Sequence, residues 1–206
     1  MTTTLRGRFI TLEGVDGAGK STHLDWIADR LRSGGRKVLA TREPGGTPLA
    51  EDLRALILRQ PMDALTETLL IFAARGDHVR KVIAPALARG DWVVCDRFTD
   101  ATAAYQGGGK GIDIDLILKL SGEVHGELAP DRTLVFDCPY EVARDRLGRS
   151  GRTLDRFERE DRAFFNRVRE VYLQLGASEP TRVRIIDSTG SLDEIRTSLQ
   201  EEMARI

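Results

Sequence analysis

The sequence predicts an α/β protein built on a five-stranded parallel sheet with helices on both faces. Short apolar runs alternate with stretches of helical period, the pattern of parallel strands joined by crossover helices. A glycine-rich loop follows the first run. Polar segments stand directly after four of the runs, where an open parallel sheet holds its ligands.

Each element can be justified in turn. Phe9 to Leu12 is the first strand, and Leu24, Ile27, Ala28 and Leu31 then make the apolar stripe of a helix that stops at Gly34-Gly35. Val38 to Thr41 reads as the second strand, Trp92 to Cys95 as the third, Thr133 to Phe136 as the fourth and Val183 to Ile186 as the fifth. Between the second and third lie helices carrying Leu49, Leu53, Leu56 and Ile57, then Leu65, Leu69 and Phe72. A last helix carries Leu192, Ile195, Leu199 and Met203. Gln106 to Gly111 is glycine-rich but has no strand before it, and reads as a flexible connector.

A chain of 206 residues with 41% hydrophobic content suffices for one domain, 1–206. A net charge of -1 excludes a general attraction to nucleic acid or anionic membrane. No run approaches the ~18 apolar residues of a membrane span, and the amino terminus lacks a signal-peptide core, which predicts a cytoplasmic protein. Cys95 and Cys138 end apolar segments and read as buried thiols; His23, His78 and His125 have no metal-ligand spacing.

The chemistry starts after the first strand. Gly14, Val15, Asp16, Gly17, Ala18, Gly19, Lys20 and Ser21 spell G-x-x-x-x-G-K-S, followed by Thr22. Glycines let successive backbone N–H groups turn toward a phosphate, and the helix that follows adds its positive end. Lys20 supplies a charge for the β and γ phosphates and Ser21 a hydroxyl for magnesium, so the loop predicts ATP-type triphosphate binding with Mg2+. Asp16 is unusual, because an acid in an anion-binding loop needs a partner or a purpose. After the other strands come Arg42-Glu43-Pro44-Gly45-Gly46-Thr47, Asp96-Arg97-Phe98 and Asp137-Cys138-Pro139. Asp96 ends an apolar strand, where a phosphate-loop protein holds magnesium, and Arg97 is suited to clamp a second phosphate. The Arg-rich segment 144–162 reads either as a solvated face or as a lid whose Arg149 and Arg152 fold over the phosphates.

Glu13-Gly-Val-Asp-Gly-Ala-Gly-Lys-Ser21, Thr41-Arg-Glu-Pro-Gly-Gly-Thr47, Asp96-Arg-Phe98 with Ala104-Tyr-Gln106, and Leu154-Asp-Arg-Phe-Glu158 stand in the order found in thymidylate kinases. The chain resembles that family over nearly its whole length. The resemblance implies the P-loop kinase fold, transfer of phosphate from ATP to dTMP with Mg2+, and a homodimer. It implies that Asp16 helps hold the sugar and phosphate end of dTMP, that Arg97 binds its phosphate, and that Arg75 hydrogen-bonds the thymine while Thr102 and Gln106 read the remaining polar edge. Phe72 would stack on the ring, Tyr105 would lie beneath the deoxyribose, and Glu43 and Pro44 would belong to the same pocket. Adenine would lie near Asp187 to Gly190.

The departures are informative. Ala101 stands where the family commonly has Ser, and Phe72 is three residues before Arg75, with Ile71 in the more usual four-back position. Some members carry Arg directly after the loop acid; this chain has Gly17, and resembles members that place the charge in the lid, at Arg149 or Arg152. From the residues alone, another nucleotide or nucleoside kinase of the same fold stays open, and so does a nucleotide-driven switch, although no Asn-Lys-x-Asp guanine motif follows a strand.

Overall fold

The computed structural model describes residues 6–149, Gly151 and 153–206. Five parallel strands form one sheet: β1 (Phe9–Glu13), β2 (Val38–Arg42), β3 (Trp92–Asp96), β4 (Arg132–Asp137) and β5 (Val183–Asp187), in the spatial order β2-β3-β1-β4-β5. Each strand lies where an apolar run predicts it, extended by the polar residue at its carboxyl end. β1 is central and buried along its whole length, whereas β2, at an edge, is half-exposed. The period of two divides the strands between two cores. Phe9, Val93 and Cys95 face one with Val79, Ile83 and Phe98; Ile10, Leu12 and Val94 face the other with Phe136, Val168 and Tyr172. Both cysteines are buried and free.

The helices cap as their sequences dictate. Thr47 caps α2 (Pro48–Arg59), Asp63 caps α3 (Ala64–His78), Asp161 caps α8 (Arg162–Ser178), and Ser191 with Glu194 forms a capping box on α9 (Leu192–Met203). α1 (Lys20–Ser33) differs from these four: Gly19 stands in the left-handed region and no side chain caps the first turn. Its amino-terminal N–H groups are therefore left to the preceding loop and whatever anion occupies it. Ile27 and Ala28 are buried on α1, and Gly34 ends it.

Two expectations need correction. Gln106 to Gly111 is not a flexible connector: α5 (Thr99–Thr102) continues as a π-helical segment, Ala103–Gly109, packed against α8. A Cβ on Gly108 would lie 2.4 Å from Val171 Cγ2, and one on Gly109 2.4 Å from the Phe164 ring, so these glycines serve close packing rather than freedom. The segment 144–162 is not one continuous loop. Its first part belongs to α7 (Tyr140–Arg149), which buries Ala143 and Leu147, and its last residue begins α8.

The remaining helices are α4 (Ala84–Ala88), reached from α3 through a π-helical turn at Val79–Ile83, and α6 (Ile114–His125). α3 packs against both α2 and α6. On these three helices Leu49, Leu56, Leu65, Leu69, Ile114 and Leu118 stay exposed, the last at 60%. No helix among the described residues is long and apolar enough to cross a membrane.

Candidate active site

The loop after β1 emerges where its neighbours β3 and β4 leave on opposite sides, the crevice at which parallel sheets bind ligands. Gly14, Gly17 and Gly19 all have positive φ, at 127°, 84° and 96°. A Cβ on Gly17 would stand 2.4 Å from the Ala143 carbonyl oxygen, so α7 closes this position to any side chain. Lys20 is buried and donates to the carbonyls of Gly14 and Val15, both at 2.9 Å, which wraps the loop around its ammonium. Burial lowers the Lys20 pKa, as does Arg97, against the pull of Asp96, Asp16 and Glu13. The residues from Asp16 to Thr22 line a broad polar cleft with Asp96, Arg97 and Arg146.

Asp16 has its partner. Arg97 Nη2 donates to Asp16 Oδ1 at 2.6 Å and to the Tyr105 hydroxyl at 2.9 Å, while the Tyr105 hydroxyl donates to Asp16 Oδ2 at 2.8 Å. The Arg97 guanidinium also lies over the Tyr105 ring, 4.5 Å from its centroid. Burial opposes the Asp16 charge, but Arg97 and Lys20 outweigh it and hold the carboxyl down at about 2. Arg97 takes φ 70°, a conformation that costs a non-glycine residue about 1–3 kcal/mol. The turn is held on both sides: Arg97 N–H donates to Leu12 O and Phe98 N–H to Glu13 Oε1 at 2.7 Å. The Tyr172 hydroxyl donates to the other Glu13 oxygen at 2.8 Å. Burial, reinforced by the Asp100 charge, pushes the Glu13 carboxyl up to about 8.

A second cavity adjoins the cleft, and Asp16, Glu43, Arg54, Arg97 and Asp155 lie on the wall common to both. Its other lining includes Pro44, Ile71, Arg75, Thr102, Tyr105, Gln106 and Phe157. Arg75 is almost fully buried; its Nε donates to Glu43 Oε2 at 2.7 Å and its Nη2 to Phe98 O and Thr102 Oγ1, each at 3.0 Å. Arg75 Nη1 is buried without a partner among the described residues. Glu43 spends its second oxygen on His78 Nδ1 at 3.0 Å, so it orients Arg75 instead of offering a free carboxylate to the cavity.

Other expected residues fall elsewhere. Phe72 does not line the cavity: its ring packs against the Arg75 guanidinium, 4.9 Å away, and Ile71 forms the wall instead. Arg149 is 78% exposed and pairs with Asp145, away from the cleft, and Arg152 lies outside the described residues. Asp96 and Ser21 both face the cleft, and Asp96 Oδ1 is buried without a partner. His23 packs against Phe136, its ring centroid 5.5 Å away.

Arg54 and Arg146 are the residues that sequence reasoning missed. Arg54 donates to Pro44 O at 3.0 Å, and burial with the like charges of Arg42 and Arg97 lowers its pKa. Arg146 donates to Ser188 O at 2.6 Å, which joins α7 to the segment after β5. In the sequence Arg146 is one arginine among many, and only its position on the inner face of α7 separates it from Arg149.

Comparison with known proteins agrees with this geometry. Residues 12–199 match the family model for thymidylate kinase. The chain is 60% identical over 203 residues to the thymidylate kinase of Bordetella pertussis, covering 98% of this chain and 97% of the relative. It is 56% identical over 202 residues to that of Cupriavidus metallidurans, covering 98% and 100%. The crystal structure of thymidylate kinase from Ehrlichia chaffeensis superposes with a TM-score of 0.80 at 34% identity, covering 97% of this chain and 99% of that one. With a phosphate loop, an Asp-Arg turn and a base-sized cavity joined at one wall, and with these relatives over nearly its full length, the chain belongs to the thymidylate kinase family.

Proposed function

We propose that the chain phosphorylates dTMP to dTDP with ATP and Mg2+, by direct in-line transfer within a single domain, 1–206. The observation that carries this reading is the shared wall: Arg97 stands between the phosphate-loop cleft and the adjoining cavity. ATP phosphates would occupy the loop and dTMP the cavity, so the acceptor phosphate and the γ phosphate meet at one guanidinium. Phosphoryl transfer asks the protein chiefly to align two nucleotides and spread developing charge, and the cations around this wall, Lys20, Arg54, Arg97 and Arg146, are placed to do so. The dTMP phosphate has a second pKa of about 6 and is already ionised near neutral pH, so no general base is needed.

In the cavity, Arg75 would donate to a thymine carbonyl, Thr102 and Gln106 would meet its remaining polar edge, and Ile71, Pro44 and Phe157 would pack on the ring. Tyr105, pinned by Asp16 and Arg97, would lie against the sugar and leave no room for a 2'-hydroxyl. Mg2+ favours one or two carboxylates with phosphate and water oxygens over an all-protein cage. Among the described residues no group of three metal-binding side chains exists, while Ser21 and the unpartnered Asp96 Oδ1 face the loop; this donor set fits a magnesium that arrives with the nucleotide. Bound there, it would neutralise charge between the phosphates. Of the two lid arginines expected from the sequence, Arg149 would need to leave Asp145 to reach the transferring group and Arg152 lies outside the described residues, whereas Arg146, on α7, already lines the cleft. The exposed leucines of α2, α3 and α6 support a homodimer through that face.

An assay of dTMP, dUMP, dGMP, AMP and thymidine with ATP and magnesium tests the reading. Preferred turnover of dTMP is expected, and a comparable rate on a purine nucleotide or on thymidine would contradict it.

A further inference from the structure

Behind the base-sized cavity lies a buried acid for which the transfer chemistry has no use. Glu67, on α3, has 0% exposure. Its Oε1 accepts from Gln106 Nε2 at 2.8 Å, and its Oε2 from Lys110 Nζ at 2.7 Å and from Arg156 Nη2. A buried carboxylate is costly unless paired and fully hydrogen-bonded, and these two cations supply the pairing. Lys110 and Arg156 in turn flank the Phe157 ring, at 4.7 and 4.8 Å from its centroid, and Phe157 lines the cavity.

The chemistry of the Gln106 contact is directional. A carboxylate only accepts hydrogen bonds, whereas a carboxamide has one donating and one accepting end that turn into each other by a half-rotation. Set against Glu67, the amide must direct its nitrogen away from the cavity. Gln106 lines that cavity, and its side-chain oxygen Oε1 accepts no hydrogen bond among the described residues. Beside it stands Arg75 with Nη1 unpartnered.

We infer that Glu67 is a positioning residue that locks the Gln106 amide with its oxygen toward the base, so that the cavity offers one donor, from Arg75, beside one acceptor, from Gln106. That pair matches a pyrimidine with a carbonyl at C4 and a proton on N3. Cytosine reverses both groups: its 4-amino group would meet the Arg75 donor, and its N3 lone pair would meet the Gln106 oxygen. A site built to pair specific polar atoms rejects the mismatched base because its own buried groups are left unsatisfied. The inference rests on the thymidylate reading of the cavity and adds to it the residue that sets the polarity of the pocket.

The test is the ratio of kcat/KM for dTMP to that for dCMP. In Glu67→Gln the neighbouring side chain can donate as well as accept, so Gln106 loses its fixed orientation. The dTMP KM is expected to rise about tenfold, the dTMP to dCMP ratio to fall about tenfold or more, and the ATP KM to stay put, each tenfold step corresponding to about 1.4 kcal/mol. Gln106→Met should lower the ratio equally, and adding Glu67→Gln to it should lower the ratio no further. An unchanged ratio in Glu67→Gln, or full additivity in the pair, would overturn the inference. Should Glu67→Gln fail to fold, amide NMR of the native chain decides. Titration with dTMP should shift the Gln106 Cδ resonance and leave the Nε2 protons bonded to Glu67; perturbation centred on Nε2 would overturn the orientation. A native chain inactive on dTMP removes the thymidylate reading and this inference together, whereas an active one with unaltered Glu67→Gln selectivity removes the inference alone.

Discussion

Gly17 shows how one position decides where a charge can come from. Its φ of 84° and the 2.4 Å approach of a would-be Cβ to the Ala143 carbonyl mean that the loop could accept a side chain here only if α7 moved. Gly17→Ala should therefore lower stability by about 1–3 kcal/mol from backbone strain alone, read as a reduced urea midpoint; an unchanged midpoint would show that α7 yields freely. Lys20 has a different role. Among the described residues its ammonium donates hydrogen bonds only to the loop carbonyls of Gly14 and Val15, and Lys20→Ala should reduce kcat by at least ~100-fold, the usual price of removing a preorganised charge at a reacting group. Near-normal turnover would sink the phosphate-loop mechanism.

Among the elements, the sharpest expectation concerns the contact between the Ala103–Gly109 segment and α8. Gly109→Ala drives a methyl into the Phe164 ring, which itself packs on Tyr105, with centroids 6.0 Å apart. Overpacking of this kind costs about 1–3 kcal/mol, and because Tyr105 holds Asp16 the dTMP KM should rise with it. A fall in stability with unaltered KM would uncouple the glycines from the site. The five strands were legible because buried parallel strands are short, continuously apolar runs that end in polar residues, as at Glu13, Asp96 and Asp137. The glycine-rich run was misread because glycine signals freedom and close packing in the same way; only the arrival of α8, some 55 residues later, separates them. Ile71 was legible as a spacing but overshadowed by the aromatic Phe72 beside it. Arg54, Arg146 and Glu67 carried no local signal, because their roles depend on elements distant in the chain.

For the whole molecule, the buried Glu13 predicts a pH dependence. Its carboxyl titrates near 8 in the folded chain and near 4.5 when exposed, so between those values the folded state holds a proton that the unfolded state has lost. Its contribution to stability is complete below about pH 4.5 and is lost as pH rises through about 8. Urea unfolding from pH 5 to 8 should show stability falling with pH, and Glu13→Gln should flatten that slope; equal slopes would place the titration elsewhere. The leucine face of α2, α3 and α6 carries a second whole-molecule prediction. Leu69→Glu with Leu118→Glu should convert a dimer to a monomer in sedimentation velocity, and a monomeric native chain would refute that interface.

With the cleft and the cavity meeting at Arg97, the proposed reaction passes the phosphoryl group from ATP to dTMP in one displacement. Stereochemistry at the transferred phosphorus tests this most directly, with ATP made chiral at its γ position by oxygen isotopes. The account predicts dTDP with inverted configuration. Retention would reveal a phosphorylated enzyme intermediate and contradict it.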